Sequence, residues 1–410
     1  MVQESLRGIR VLDFTHVVAG PLCSMMLGDM GAEVTKVEPP GGEPGRRIGP
    51  PWQHGESVIH LSVNRNKRSI AVDLKSERGR AAVRRIAGEV DVVVESFRPG
   101  VMDSLGLGAA DLRGTHPDLV YCSISAFGQV GAARRRPGVD GVMQAVTGLM
   151  SSLGEPGSGP SKVPVPIADM VTGHLATIGI LGALHQVRGG GGGQHLDVSL
   201  YNATVLLQQV GFASFLASGR DADKLGSGAP YAAPNEAFPT ADGHVMVAAY
   251  DPGRWSALCA VLEVSQLRTD PRFATNDARV AHRAALRAEL SRCFRRRPTG
   301  EWLPLLVERD ILCAEVATYS DVVASPEYRA SGIETEVEHP VAGRVRIPGF
   351  ALGPSHPAPR PLPPPVLGQD SVEVLTGFGF TAEERAELIG AGIVRTAARQ
   401  APERFRAEAV

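Results

Sequence analysis

Short apolar runs alternate with longer segments of helical spacing through the first two hundred residues. The runs at residues 11–14, 33–38, 69–74, 92–95, 119–125 and 195–200 predict strands, and residues 21–30, 76–89 and 170–186 predict helices. Strands that alternate with helices are typical of βαβ units, which build a mostly parallel sheet. The first half of the chain is therefore predicted to be an α/β domain.

The pattern changes in the second half. Periodicity fades over residues 218–236, which are rich in Ser, Gly, Ala and Pro. A hairpin follows, with strands at residues 237–240 and 244–249 around a turn at residues 241–243, and then Arg-rich helical segments up to residue 308. This indicates a smaller α+β domain. Residues 345–368 are Pro-rich and predict an extended segment, and the chain beyond residue 371 is helical again.

Composition narrows the class of protein. The 410 residues are 43% hydrophobic and 21% charged, with a formal net charge of −2, whereas a surface for nucleic-acid phosphates is normally basic. No uninterrupted run approaches the ~18 apolar residues of a membrane span, and no signal peptide begins the chain. The five cysteines are scattered without a CxxC pair. We expect a cytoplasmic enzyme without metal, nucleic-acid or membrane partners.

Two glycine motifs have an ordinary structural interpretation. The first strand–turn–helix unit has the topology of a dinucleotide-binding unit, but its turn at residues 16–21 holds one glycine where that fingerprint needs three. The five-glycine run at residues 189–193 lacks the Lys-Ser/Thr pair of a phosphate loop. It predicts a flexible connection from a helix to a strand.

Two charged features leave a structural and a functional interpretation open. The basic group at residues 64–69 is either a solvated turn or, with Lys75 and Arg134 to Arg136, an electrostatic seat for a polyanionic small ligand. Asp169 stands at the start of an apolar helix. Its carboxylate could cap the helix N-terminus or act as a nucleophile that forms a covalent acyl intermediate.

The ordered set of motifs resembles the class III CoA-transferase family, whose superfamily also holds the α-methylacyl-CoA racemases. The resemblance covers nearly the whole chain. The matching segments are residues 11–14, 19–21, 31–38, 64–69, 95–100, 148–150, 154–156, 164–173, 193–200, 240–243, 270–273 and 367–369.

The resemblance implies a Rossmann-like large domain with a parallel sheet, a smaller inserted α+β domain, and an interlocked homodimer. The corresponding boundaries are residues 1–215 for the first part of the CoA-binding domain, 216–235 for a linker, 236–330 for the small domain, and 331–410 for a linker and the return to the large domain. Long linkers near residues 205–235 and 325–345 fit chains that thread each other.

The resemblance also implies the chemistry. The family's aspartate nucleophile falls on Asp169, which would form an aspartyl–acyl anhydride and then an aspartyl-CoA thioester. Coenzyme A and its acyl esters are then substrates, and no tightly bound cofactor is expected. The expected donor is a short acyl-CoA such as succinyl-CoA, and the acceptor a small carboxylic acid. The alternatives are an acyl-CoA isomerase or racemase of the same superfamily, or a catalytically silent acyl-CoA-binding protein.

The CoA-binding positions of the family match this sequence only in part. The matching positions are His16, Val17, Val18, Ala19, Val72, Asp73, Lys75, Ser96, Phe97, Arg98, Ser104, Leu105, Arg136 and Val139. Ser104 and Pro39 replace arginines of formyl-CoA transferase, and Pro137 replaces a lysine. We expect Arg98 and one or more of Arg134 to Arg136 to supply the missing positive charge.

Three departures from the family's sequence pattern distinguish between its subfamilies. Val139 stands where the racemases need a histidine for proton exchange, which disfavours racemisation. Val18 replaces a glutamine of formyl-CoA transferase, and its glycine-rich lid is shortened here to residues 225–230. A formate/oxalate pair is therefore disfavoured.

Overall fold

The computed structural model describes residues 2–352 and 361–397. The described chain forms two compact units. The first unit comprises the described parts of Met1–Thr147, Pro164–Gln208 and Ser331–Val410, and the second comprises Gly148–Val163 and Gln209–Ala330. The predicted domain boundaries, and the description of the small domain as inserted, stay predictions.

The strands follow in chain order. They are β1 (Arg10–Phe14), β2 (Glu33–Glu38), β3 (Trp52–Gln53), β4 (Glu56–Ser57), β5 (Lys67–Val72), β6 (Val92–Glu95), β7 (Val120–Ser125), β8 (His195–Ser199), β9 (Asn235–Pro239), β10 (His244–Ala248), β11 (Leu312–Glu315), β12 (Glu334–His339), β13 (Gly343–Pro348) and β14 (Val394–Arg395).

The helices are α1 (Ala19–Asp29), α2 (Val58–Ser62), α3 (Glu77–Ala87), α4 (Val101–Ser104), α5 (Ala109–Thr115), α6 (Asp140–Val146), α7 (Leu149–Ser152), α8 (Ile167–Arg188), α9 (Leu200–Leu207), α10 (Gln209–Ser218), α11 (Pro252–Val261), α12 (Asn276–Ala281), α13 (Arg283–Phe294), α14 (Thr299–Glu308), α15 (Tyr319–Ala324), α16 (Pro326–Ser331), α17 (Ser371–Gly377) and α18 (Ala382–Gly390).

A large sheet organises the first unit, with strand order β14-β5-β2-β1-β6-β7-β8. Every neighbouring pair from β5 to β8 is parallel, and the edge strand β14 pairs antiparallel with β5. The predicted α/β class with a mostly parallel sheet is thereby confirmed. The chain adds strands on one side of β1 first and on the other side later. Such a reversal opens a crevice between the loops after β1 and β6, where ligands of open α/β sheets bind.

The hydrophobic pattern of the strands agrees with their positions in the sheet. Val92, Val93 and Val94 of β6 are fully buried, as expected for a central strand with both faces covered by helices. Each strand and helix predicted before residue 200 is found within a few residues of its expected bounds. Strand β14 is too short to show a pattern, and it forms because Val394 pairs with Val72.

The second unit contains the antiparallel sheet β11-β10-β9. The predicted hairpin is confirmed, with His244 of β10 opposite Pro239 of β9 around residues 240–243. Helices α11, α13 and α14 supply buried aromatic and aliphatic side chains to its core, which includes Trp255, Phe294 and Trp302.

The predicted linkers carry more regular structure than expected. Helix α10 extends to Ser218, and residues 334–348 form the hairpin β12–β13, in which Val337 faces Val345. Among the described residues, none covers α10 closely enough to bury one of its side chains. Pro354, Pro357 and Pro359 of the Pro-rich stretch lie outside the described residues, and residues 361–366 have no regular structure.

Helix α8 is long and apolar enough to cross a membrane by length and composition, within the part of the chain that the structure describes. The same property belongs to core helices of soluble proteins. Here Ala168, Ala176 and Ile180 are fully buried inside the first unit, and α8 lies against α1. Its apolar composition is explained at least in part by this packing.

Candidate active site

Parallel strands place the loops that follow them at one edge of the sheet. The loops after β1 and β6 meet there. The His16 amide donates a hydrogen bond to Ser96 Oγ at 2.9 Å, and the His16 and Phe97 rings meet edge to face with centroids 4.6 Å apart. The structure thus joins two segments that the sequence separates by eighty residues.

An open cleft of about 380 Å³ lies beside this junction. It is lined by Ser96, Phe97, Arg98, Pro99, Ser125, Ala126, Arg134, Arg136, Pro137, Gly138, Val139 and Val142. Ser96, Phe97, Arg98, Arg136 and Val139 were expected from the sequence, and they share this one cleft. Arg134 lines it as well, whereas its neighbour Arg135 does not. Guanidinium groups of this kind match phosphate oxygens.

Other expected residues lie outside this cleft. Val72 ends β5, and Asp73 and Lys75 follow it on the same sheet edge, but β2 and β1 lie between β5 and β6. Ser104 ends α4 and is exposed, and Leu105 follows it half-buried. The geometry therefore joins the His16 loop to the cleft and leaves these two groups apart from it.

The loop after β1 has an uncommon backbone conformation. Val17 has φ of 66°, in the left-handed region that a β-branched residue rarely adopts. The Val17 amide donates to Glu43 Oε2 at 3.2 Å, and the same carboxylate oxygen accepts from the Gly45 amide at 2.6 Å. Backbone strain of this kind persists only when the surroundings over-determine it.

Fully buried charges support that loop from below. Asp13 in β1 accepts from Lys67 Nζ at 3.0 Å, and Lys36 Nζ lies 3.9 Å away. The two ammonium groups also donate to backbone carbonyls on either side of the loop, Lys36 to Thr15 and Lys67 to Pro21. Burial alone would raise the pKa of Asp13, but the two lysines hold it well below its ordinary value.

Two cations of the basic group at residues 64–69 are buried in ion pairs and do not form a solvated turn. Lys67 is 2% exposed and pairs with Asp13, and Arg65 is buried against Asp29. Arg68 points outward to Glu373. The interpretation as a solvated turn was wrong for Arg65 and Lys67, because the charges that partner these cations come from distant parts of the chain. The ligand seat stays a prediction for the arginines at residues 134–136, two of which line the cleft.

Asp169 occupies the third position of α8 and is half-buried. Gly173 lies on the same face one turn later, and a Cβ added there would come 2.6 Å from the Ala19 carbonyl oxygen. Met170 packs in the apolar cluster of Val17 and Val18. The start of α8 therefore lies against the loop after β1, with Asp169 on the face that approaches Ala19.

Asp140 supplies the carboxylate that the start of α8 needs. Its Oδ1 accepts from the Ala168 amide at 2.8 Å, and its Oδ2 accepts from Gln144 Nε2 at 2.8 Å. The capping role considered for Asp169 was wrong, since Pro166 is the N-cap and Asp140 binds the free amide. Asp140 directly follows Val139 of the cleft, so it connects the cleft wall to the helix that carries Asp169.

The environment of Asp169 disfavours its charged form. Burial and the neighbouring charge of Asp140 raise the pKa of Asp169 to about 7, although a helix N-terminus on its own favours a carboxylate. Perturbed carboxyl groups beside a cleft are candidates for functional sites. At neutral pH both the acid and the carboxylate are populated.

The sequence reasoning missed the residues that support the site. Asp13 and Lys36 stood inside predicted buried strands, where an unpaired charge is costly, and this was a usable signal of a buried ion pair. Asp140 and Glu43 gave no comparable signal, because their amide partners lie on other elements.

Comparisons with known proteins give matches over nearly the whole chain. The family model for CoA-transferase family III matches residues 6–371. The chain is 36% identical over 395 residues to human succinyl-CoA:glutarate CoA-transferase, covering 95% of this chain and 90% of the relative.

A succinate–glutarate CoA-transferase of Agrobacterium fabrum is 35% identical over 381 residues, which cover 90% of this chain and 94% of the relative. The crystal structure of a CaiB/BaiF family protein from Brucella suis matches with a TM-score of 0.81 and 32% identity, covering 91% of this chain and 99% of that one.

Proposed function

Because the chain belongs to CoA-transferase family III, we propose that it moves CoA from succinyl-CoA to glutarate or a related short dicarboxylic acid, with Asp169 as the nucleophile. The substrates are those in the names of the human and Agrobacterium relatives. The observation that carries the proposal is the position of Asp169, a half-buried carboxyl at the start of α8 whose helix face approaches the loop after β1. That loop borders the arginine-lined cleft.

The reaction is a series of reversible acyl transfers. An Asp169 oxygen attacks the thioester carbon, the C–S bond breaks, and an aspartyl–acyl anhydride and CoA thiolate form. The thiolate then attacks the aspartyl carbonyl, which releases the donor acid and leaves an aspartyl-CoA thioester. The acceptor carboxylate reverses the two steps and leaves as its CoA ester. Covalent catalysis of this kind divides one difficult exchange into easier steps.

Intact-protein mass spectrometry tests the proposal. Wild type mixed with succinyl-CoA should gain a CoA-sized mass, because the donor acid can leave while CoA stays on Asp169. Glutarate should remove that mass, and short monocarboxylic acids tested in parallel should remove it less completely. A protein that binds CoA but never gains the mass would contradict the covalent mechanism.

The arginines of the cleft should set the affinity for the CoA phosphates. We expect Arg98→Ala and Arg136→Ala each to raise the KM for succinyl-CoA about tenfold, since a charge-assisted hydrogen bond contributes roughly 1.5–3 kcal/mol. The KM for glutarate should change little. Steady-state kinetics at low and high salt measure both values.

Arg135→Ala is the matched control, because Arg135 is exposed in the same run but does not line the cleft. Its KM should stay near that of wild type. Equal effects of all three substitutions would indicate a general electrostatic contribution rather than contacts in the cleft.

The proposal also includes a homodimer of this chain. Helix α10 has no side chain buried by the part of the chain that the structure describes, and Leu216 is 78% exposed beside Val210 and Phe215. A short apolar helix gains little stability unless its face is packed. A second copy of the chain is the occupant we propose, in the interlocked form expected from the sequence. Light scattering should give twice the 43.3 kDa chain mass, and a monomer would refute it.

A further inference from the structure

Glu95 is a buried carboxyl that the transfer steps do not use. It is the last residue of β6 and is 4% exposed. Its Oε2 accepts a hydrogen bond from the Phe97 amide at 2.8 Å. Ser96 and Phe97, the residues that follow it, line the cleft. Glu95 therefore lies directly beneath the wall where the CoA phosphates are proposed to bind.

Hydrogen bonds connect Glu95 to solvent across three strands. Ser123 of β7 lies opposite Glu95 in the sheet and hydrogen-bonds to its carboxylate. Ser123 Oγ also lies 2.9 Å from Nε2 of His195 in β8. The His195 side chain is exposed. A continuous path of exchangeable hydrogens thus runs from the cleft floor to the surface.

The charges around this path favour a neutral Glu95. Burial raises the pKa of Glu95 to about 7, hydrogen bonds from Ser123 and the Phe97 amide oppose the rise, and Asp103 and Asp197 add to it. On β7, the neighbouring Tyr121 and Cys122 stay protonated, because burial raises the pKa of each. Burial and the nearby Arg113 lower the pKa of His195, so its ring is neutral at pH 7 despite the nearby Asp197 and Asp103.

We propose that Glu95, Ser123 and His195 form a proton relay beneath the cleft, and that the phosphates of an acyl-CoA bound above Glu95 shift it further toward its protonated form. The inference rests on the proposed function, since it assumes CoA in this cleft. Bound phosphates repel an ionised carboxylate and exclude water from the loop that covers it. Both effects favour the protonated form.

In the proton transfer, each residue that gives up a proton also receives one. His195 takes a proton from solvent at Nδ1 and gives its Nε2 proton to Ser123 Oγ, which passes its own proton to the Glu95 carboxylate. Afterwards Glu95 donates to Ser123, and Ser123 donates to the neutral Nε2 of His195. The second carboxyl oxygen still accepts from the Phe97 amide, so the loop keeps its hydrogen bond in either state. Glu95 is a positioning residue and does not touch the reacting atoms.

Calorimetric titration with CoA between pH 6.0 and 8.5 tests the relay. The ratio of the wild-type Kd to that of Glu95→Gln should rise about tenfold over this range, which corresponds to one pKa unit of coupling. Taking the ratio removes the titration of CoA itself, since both proteins bind the same ligand. In buffers of different ionisation enthalpy, wild type should take up about half a proton at pH 7.5, the fraction expected for one pKa unit of coupling, and Glu95→Gln should take up none.

Two further variants complete the design. Ser123→Ala removes a hydrogen bond from the ionised carboxylate, so the pH at which CoA affinity falls should move upward. It also tests the relay if Glu95→Gln does not fold. Glu89→Gln changes an exposed carboxylate at the other end of β6 and should retain the wild-type profile.

The outcomes separate the two proposals. If CoA binds and the cleft arginines matter, but Glu95→Gln has the wild-type pH profile and proton uptake, the relay is refuted and the transferase proposal stands. If CoA affinity is independent of Arg98 and Arg136, the cleft is not the CoA site, and the proposed function loses its structural support.

Discussion

Asp169→Asn should lower kcat for CoA transfer by about 10⁴-fold or more, the range expected when a covalent nucleophile is removed. The amide cannot form the anhydride or the aspartyl-CoA thioester, so the CoA-sized adduct should disappear as well. Affinity for CoA should be retained, because Asp169 does not line the arginine cleft. Kinetics, mass spectrometry and CoA titration on the same preparation measure the three quantities.

Asp111→Asn is the matched control for this substitution. Asp111 is exposed at the third position of α5, the helical position that Asp169 has in α8. We expect it to leave kcat and CoA affinity unchanged. An Asp169→Asn protein that retained more than a tenth of the wild-type rate would refute the nucleophile. Such a protein with intact CoA binding would fit an isomerase instead.

If Asp169 is the nucleophile, its pKa also predicts how kcat depends on pH. Burial and the charge of Asp140 raise that pKa to about 7, and only the ionised form attacks a thioester. The ionised fraction grows as pH rises through 7, so kcat should increase and reach a plateau above that pH. The affinity for CoA should instead fall over this range if Glu95 takes up a proton on binding, which separates the two carboxyl groups experimentally.

Much of the fold was readable from local pattern. The run of β6 is short and mostly apolar because both faces of this central strand are covered, and β1, β2 and β7 are likewise short and almost wholly buried. The arginines of the cleft were expected from the resemblance to the CoA-transferase family and not from local pattern. Arg98 lies three residues after the end of β6, and the parallel topology places such loops on one edge of the sheet.

The buried groups that hold the site in place could not be predicted from local sequence pattern. Lys67 and Arg68 are neighbours in a basic run, yet one is buried against Asp13 and the other is exposed. Which of them points inward depends on strand register, and a one-residue shift exchanges the two faces. Asp140 was unremarkable as a sequence position, because its partner at Ala168 is found only when α6 and α8 are packed together.

Asp13→Asn should produce the largest loss of stability, about 3–5 kcal/mol in the free energy of unfolding, the cost of breaking a buried ion pair. Asparagine keeps the size of the side chain, but its single amide oxygen can accept from either Thr15 or Ser24, which donate to different carboxylate oxygens of Asp13. The substitution also removes the carboxylate that pairs with both buried lysines. Urea denaturation with an unchanged m-value measures the loss.

Glu373→Gln is the matched control, since it breaks the exposed pair with Arg68, the residue next to Lys67, and exposed pairs contribute little. The double variant Asp13→Asn/Lys67→Met should recover part of the stability, because it removes one of the two lysine charges that have lost the Asp13 carboxylate. Recovery of stability without recovery of CoA affinity would show that the charges also hold the strained loop at Val17. If Asp13→Asn costs no more than Glu373→Gln, the buried charges do not support that loop, and its conformation must be held by Glu43 alone.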